Sequence, residues 1–149
     1  MKKVIDQQQR QTVLDPAQSF IVQAPAGSGK TELLIQRYLL MLSRVDAPEE
    51  IIAITFTRKA ASEMRNRILN AIEKVETGAA GSQGANDATA KLAAEVLERD
   101  QQKNWKLLDN PARLRIQTID SLTAYLTRQM PLLSGFGAQP ETLSDASEM

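Results

Sequence analysis

Eight residues, Ala24-Pro25-Ala26-Gly27-Ser28-Gly29-Lys30-Thr31, constrain this chain more than any other stretch of it. Apart from Ala24, which stands where the usual pattern begins with glycine, they match a phosphate-binding loop, and Gly29-Lys30-Thr31 matches it outright. Glycines let backbone N–H groups fold around a phosphate, and the helix that follows aims the positive end of its dipole at the same point. Lys30 is expected to reach the β- and γ-phosphates and the Thr31 hydroxyl to ligate Mg²⁺, which makes Lys30 and Thr31 the candidate catalytic pair and Thr31 the candidate metal ligand. The cradle Ala24, Pro25, Ala26, Gly27, Ser28, Gly29, Lys30 and Thr31, with Glu32 next on the helix, is the candidate cofactor site for ATP and Mg²⁺.

Such a loop works only between a strand and a helix. Phe20-Ile21-Val22 is a short apolar run that reads as a buried strand ending at Gln23, and Leu33, Leu34, Tyr38, Leu40 and Met41 recur with helical spacing beyond the loop. Ahead of it, Gln7 to Val13 predicts a short helix stopped near Asp15-Pro16. Ser43 to Glu50 reads as the return loop and Ile51 to Thr55 as the next strand. From Lys59 to about Val75 an apolar stripe of Ala61, Met64, Ile68, Ala71, Ile72 and Val75 predicts a long amphipathic helix, with the charged residues largely off the stripe. Thr77 to Asp87 is glycine-rich and reads as a flexible break. A further helix is expected over Ala88 to Glu98, with Trp105, Leu107 and Leu108 packing against it. Pro111 resets the chain before a third strand, Leu114 to Thr118, and a helix capped by Asp120 or Ser121.

Strand and helix alternation with short joints predicts an α/β fold around a parallel, right-handed sheet. Residues 1–76 and 112–130 are expected to form the main lobe, 77–111 a variable helical insertion, and 131–149, rich in glycine, proline and acids, a poorly ordered or truncated tail. Three strands leave open edges, from which the natural protein is expected to continue beyond Met149.

The 149 residues fit one domain, and the absence of cysteine and histidine excludes disulfides, thiolate chemistry and imidazole acid/base or metal work. The chain suits a reducing cytoplasm, the location expected for it. Its start, MKKVIDQQQR, is polar with no apolar run behind it, so neither a signal peptide nor a membrane span is expected. Eighteen Lys and Arg balance eighteen Asp and Glu, so net charge says nothing of nucleic acid. From Arg58 to Lys74, however, five bases face two acids, which predicts a basic surface on a neutral domain.

The loop alone does not name a chemistry, since kinases, GTPases, transporters and helicases share the same charge clamp. No apolar strand ending in Asp-Glu follows, so Mg-ATP binding is provided for and general-base catalysis is not. A nucleotide-binding module or small kinase unrelated to DNA, and a noncatalytic interaction domain, both remain open on these residues.

Five segments together resemble the N-terminal part of the UvrD/Rep superfamily 1 helicases, and more narrowly the AddA/RecB helicase-nuclease branch. Ala24 to Thr31 resembles their first motif, where a leading alanine is common. Gln9, within Gln9-Arg10-Gln11-Thr12-Val13, falls where the family places its adenine-reading glutamine, and an amide can both donate to and accept from an adenine edge. Ile54-Thr55-Phe56-Thr57-Arg58-Lys59-Ala60-Ala61-Ser62-Glu63-Met64-Arg65-Asn66-Arg67 resembles the DNA-contacting motif after the second strand, with Arg58 where many relatives have Asn. Gln117-Thr118-Ile119-Asp120-Ser121-Leu122 resembles the next DNA-associated motif, and Asp120 stands where AddA/RecB-type members often have Asp. The continuation Thr127 to Leu132 also looks like that branch.

The resemblance implies a P-loop NTPase, RecA-like domain of three layers around a central parallel sheet, here incomplete, plus a partial helical accessory segment. It implies an ATP-dependent DNA helicase or helicase-nuclease that translocates on single-stranded DNA, 3′ to 5′, contacting it through Thr55, Phe56, Thr57, Arg58, Lys59, Arg65 and Thr118, with Phe56 stacking on a base. Hydroxyls, an aromatic and cations at a helix N-terminus make such an edge chemically sensible. A second helicase-nuclease subunit is a partner the family allows. The sequence contains no evidence for a homo-oligomer, and no membrane is expected. Missing from the chain are the second motor lobe and any nuclease domain, so this chain alone is expected to bind Mg-nucleotide weakly with negligible turnover.

Overall fold

A computed structural model describes residues 7–23, 25, 27–79 and 87–129. Its regular elements, in chain order, are α1 (Gln7–Val13), α2 (Lys30–Leu42), β1 (Ile52–Thr55), α3 (Arg58–Glu76), α4 (Asp87–Lys103), β2 (Arg115–Thr118) and α5 (Ile119–Gln129), with single 3-10 turns at Pro48–Glu50 and Pro111–Arg113. The predicted tail 131–149 lies outside the described residues, as does 80–86 of the glycine-rich break.

The core forms where α2, α3 and α4 meet the inner face of a small sheet. Leu39 and Leu42 of α2, Ile68 and Ile72 of α3, and Ala93 and Val96 of α4 are all buried in one cluster. Ile116 of β2 and Leu114 just ahead of that strand close the cluster. The predicted stripe of α3 is the face that packs, because the charged residues lie largely off it and leave one orientation that buries mainly apolar side chains. The segment α2 is different. Almost every residue from Leu33 to Met41 is apolar, so periodicity does not choose its face: Ile35 and Leu39 go inward while Leu34, expected on the stripe, stays 51% exposed.

Strands β1 and β2 are parallel, with Ile52 opposite Arg115 and Thr55 opposite Thr118. Side chains alternate across a strand, so Ala53 and Ile116 face the helices while Ile52 and Ile54, 46% and 52% exposed, lie on the other face. Among the described residues the sheet has these two strands alone, and it is not a filled three-layer sheet. The expected buried strand at Phe20-Ile21-Val22 does not form: the segment has no ladder partner and Ile21 is 99% exposed. A strand exists only through its neighbour's backbone, and in doubly wound sheets successive strands are often separated by others that come later in the chain.

Other joints agree with the sequence or shift by a residue or two. Thr57 caps α3, its hydroxyl accepting from the Ala60 amide at 3.1 Å. The cap of α5 is neither Asp120 nor Ser121. Strand β2 runs straight into the helix, and the Thr118 hydroxyl accepts from the Ser121 amide at 3.2 Å. Helix α4 continues to Lys103, further than expected, and then turns through two non-glycine left-handed residues, Asn104 (φ 52) and Lys106 (φ 56). They bracket Trp105, which is buried and donates its indole N–H to the Asp46 carbonyl at 3.2 Å.

Around that tryptophan, ion pairs tie the loop after α2 to the last turns of α4 and to the segment that follows it. The Asp46 carboxylate accepts from Lys103 at 2.8 Å and from Arg99 at 3.1 Å, and Arg113 grips both oxygens of Glu49 at 2.7 and 3.1 Å. Lys103, by hydrogen bond and charge, and then Arg99 hold the Asp46 carboxyl below the usual range, and the bond from Arg113 does the same for Glu49. A lowered folded value means that the unfolded chain takes up protons first. These pairs therefore stabilise at neutral pH and stop doing so as pH falls below the ordinary carboxylate range and through the lowered values. Glu49→Gln is expected to unfold more readily than the parent at neutral pH and to lose less stability between about pH 5 and pH 3. Thermal unfolding followed by circular dichroism across that range checks it, and parallel curves for the two proteins would remove the assignment.

Candidate nucleotide and nucleic-acid site

The phosphate loop closes directly onto α2. Gly27 (φ 77) and Gly29 (φ 83) both take left-handed backbone, which L side chains rarely adopt. At Gly29 the space is also filled, since a Cβ there would meet the Arg10 guanidinium at 3.2 Å, whereas one at Gly27 would meet nothing within 4 Å. Gly29 is the N-cap of α2, its carbonyl accepting from the Leu33 amide at 3.1 Å, so the amides of the first turn point back at the loop. Lys30 Nζ donates to the Pro25 carbonyl at 2.7 Å, across the loop mouth. The Ser28 hydroxyl is buried and has no hydrogen-bond partner among the described residues.

Two arginines hold this arrangement, and sequence reasoning assigned neither. Arg10 of α1 donates to the Ser28 carbonyl at 2.5 Å and covers Gly29. Arg37 of α2 donates to the carbonyls of Val13, Asp15 (3.0 Å) and Gln18 (2.8 Å), with its guanidinium 5.4 Å from the Phe20 ring. Together they fasten the segment after α1 to the helix that leaves the loop. Arg10 stood beside Gln9 in the sequence, but nothing in its spacing connects it to a residue 18 positions away. The Gln9 side chain, and Ala24 and Ala26, lie outside the described residues.

Pro25, Gly27, Ser28, Gly29, Lys30 and Thr31 thus come together at one helix end, with Thr31 exposed there. Glu32 turns aside: its carboxylate accepts from the Thr89 hydroxyl of α4 at 2.5 Å. Among the described residues no group of three or more His, Cys, Asp or Glu could hold a metal ion. Both strands end in threonine, Thr55 and Thr118, with no carboxylate at either C-terminal end.

A second cluster sits where β1 passes into α3. Phe56 is 90% exposed, which sets aside a core role for it, and Thr57, Arg58 and Lys59 are exposed beside it. The Thr55 hydroxyl donates to the Thr57 carbonyl at 3.0 Å and stiffens this corner. Thr118 lies opposite Thr55 in the sheet register, but it is 6% exposed and its hydroxyl is engaged with Ser121. Arg65 stands apart from Phe56. It is held by the Ile116 carbonyl at 2.6 Å and lines a cavity of about 210 Å³ with Arg115, Gln117 and Tyr125. The predicted basic surface is therefore in two parts, and Arg67 is paired with Glu63 at 2.5 Å.

With a glycine loop, an amide-lined helix end and an exposed aromatic corner in place, the comparison with known proteins is decisive. The model of the UvrD/REP helicase N-terminal domain matches residues 5–147. The chain belongs to that family. Its UvrD/REP relatives include DNA helicase II of Salmonella typhimurium and of Escherichia coli, each 33% identical over 113 residues, which is 75% of this chain and 16% of the relative. An ATP-dependent helicase/nuclease subunit from Leuconostoc mesenteroides subsp. mesenteroides is 32% identical over 140 residues, 94% of this chain and 10% of the relative. The chain therefore spans a small part of the length of the UvrD/REP relatives it matches, and it is related both to the helicase and to the helicase/nuclease kind. Among the described residues no helix is long and apolar enough to cross a membrane.

Proposed function

We propose that this chain is the ATP-binding part of a DNA helicase or helicase-nuclease motor, in which nucleotide sits at the N-terminus of α2 and single-stranded DNA passes the corner between β1 and α3. The observation that carries the reading is the loop itself: two left-handed glycines, a Ser28 hydroxyl without a partner among the described residues and the first-turn amides of α2 converge beside Lys30. These groups suit a chain of phosphates, because backbone amides and a helix dipole favour a compact negative charge. Lys30 would exchange the Pro25 carbonyl for phosphate oxygens, Thr31 would offer its hydroxyl to Mg²⁺, and Gln9 would face the adenine. The bound metal would neutralise charge that develops on the phosphates.

Turnover needs a group to orient water, and among the described residues neither strand supplies a carboxylate at its end. This chain by itself is therefore expected to bind Mg-nucleotide weakly and to hydrolyse it negligibly. In the whole protein, hydrolysis would drive movement along single-stranded DNA by changing the gap between two lobes. The helicase-nuclease branch is favoured by Asp120 and by a match to a helicase/nuclease relative that runs through 94% of the chain. Completion of the sheet into a RecA-like, three-layer domain belongs to the same reading.

Phe56 gives the DNA part of the proposal its sharpest test. Stacking of a base on an aromatic ring contributes about 1–3 kcal/mol, so Phe56→Ala is expected to weaken binding of a short oligothymidine by about tenfold. Lys59→Ala is expected to lower affinity and to flatten its dependence on salt by about 0.7 in the log–log slope, the effect of one phosphate contact on a single strand. Fluorescence anisotropy over a salt series measures both. Unchanged affinity and slope in both variants, with nucleotide binding intact, would favour a nucleotide-binding module unrelated to DNA.

A further inference from the structure

From Leu33 to Met41 helix α2 is apolar except at Gln36 and Arg37, and of these two Gln36 is buried, its exposure being 6%. Its amide Nε2 donates to the Thr89 hydroxyl of α4 at 2.9 Å, and that hydroxyl donates onward to Glu32 Oε1 at 2.5 Å. The direction is fixed by chemistry: an amide nitrogen can only donate, so the hydroxyl proton is committed to the carboxylate. Glu32 is one turn before Gln36 and directly follows Thr31, and it is the acidic residue of the first turn of α2.

A carboxylate in a first turn is favourable to an empty helix end and unfavourable once phosphates compete for the same amides. We propose that Thr89 is a positioning residue for the nucleotide site. It draws the Glu32 carboxylate onto α4, so that the end of α2 presents Lys30, Thr31 and its amides without a competing negative charge. Gln36 holds Thr89 in the orientation that does this. The proposal rests on reading Ala24 to Thr31 as a phosphate cradle, and it brings α4, which touches no part of the loop in that reading, into control of its affinity.

Titration calorimetry of the purified chain with ADP and Mg²⁺ at low salt tests it. Thr89→Val removes the hydroxyl at constant shape and is expected to weaken ADP by about three- to tenfold, the effect of one freed charge at short range in a partly wet site. Thr89→Ser should stay within about twofold of the parent, since it keeps the donor. Adding Glu32→Gln to Thr89→Val should return affinity to that of Glu32→Gln alone. A valine that merely loosened α4 would not be corrected by removing a charge on α2, so failure of that recovery overturns the proposal, as does unchanged affinity in Thr89→Val. Urea unfolding of the parent, the two single variants and the double variant gives a double-mutant cycle that needs no nucleotide, and absence of coupling between Glu32 and Thr89 also overturns it. Lys30→Ala separates the two levels: if it leaves ADP binding intact, or if the parent binds no ADP, the cradle itself is wrong and the proposal falls with it. Loss of binding in Lys30→Ala beside an unaffected Thr89→Val would sink the positioning role alone.

Discussion

Replacing Lys30 by alanine is expected to weaken Mg-ADP binding by about two orders of magnitude, because a charge-assisted bond to phosphate is lost at the point where helix dipole and loop amides converge. The fold should not change. Lys30 Nζ donates to the Pro25 carbonyl at the exposed mouth of the loop, and the packing of α2 depends instead on Ile35, Tyr38, Leu39 and Leu42, all buried. The pairing of a large loss of affinity with unaltered far-ultraviolet circular dichroism and unfolding midpoint is the expected signature. Lys30→Arg should recover little, since the guanidinium is larger than the ammonium and planar where the loop offers a compact point for one charge. Comparable affinity in Lys30→Ala and parent would leave the glycine loop without a function.

The largest effect on stability is expected at Trp105. It is 3% exposed, it belongs to the same core cluster as Leu107 and Val96, and it is the chain's one tryptophan. Truncation to alanine should cost about 3–5 kcal/mol, from lost burial and an unfilled cavity. A further part comes from the Asp46 carbonyl, which accepts the indole N–H at 3.2 Å. Asn104 and Lys106 sit in left-handed backbone on either side, a conformation held by surrounding structure and not by preference. Release of Trp105 should therefore loosen the whole joint between α4 and β2, including the pairs Arg113–Glu49 and Arg99–Asp46. Urea denaturation followed at 222 nm measures the loss without needing tryptophan emission. A cost below about 1 kcal/mol would mean that 104–113 is not part of the common core.

Burial also acts on Tyr38, whose phenol is pushed up to about 12 by desolvation against the opposing charge of Arg65. The hydroxyl has no partner among the described residues, so this side chain contributes through its ring. Arg65 of α3, whose charge opposes that rise, in turn reaches the Ile116 carbonyl of β2.

How far the sequence could be read differs from element to element for physical reasons. Helix α3 was legible because its charges lie largely off the apolar stripe, leaving one face that can be buried. Helix α2 was legible as a helix but not in its phase: with apolar residues nearly all round, only the neighbours α3 and α4 choose between Leu34 and Ile35. Strands β1 and β2 were legible from β-branched runs, whereas Phe20-Ile21-Val22 has a similarly apolar composition and forms no strand. Pairing is a property of two segments, and one segment's composition cannot supply the other. The cap of α5 moved to Thr118 because strand and helix are continuous there, which no local preference for Asp or Ser could reveal.

The candidate site divides in the same way. Gly27, Gly29, Lys30, Thr31 and the Phe56 corner were readable because phosphate cradling and nucleic-acid contact depend on residue types at fixed local spacing, and local spacing survives folding. Arg10 over Gly29, Arg37 on three carbonyls, and Thr89 between Gln36 and Glu32 were not, since each joins positions from 18 to 57 residues apart. One trace of the last was visible, a lone amide within an apolar run. What the chain's own order of residues determined is the chemistry available at each helix end. Which distant side chains stand guard over that chemistry was decided only when α1, α2 and α4 packed together, because hydrogen bonds between remote segments exist only in the geometry that hydrophobic burial selects.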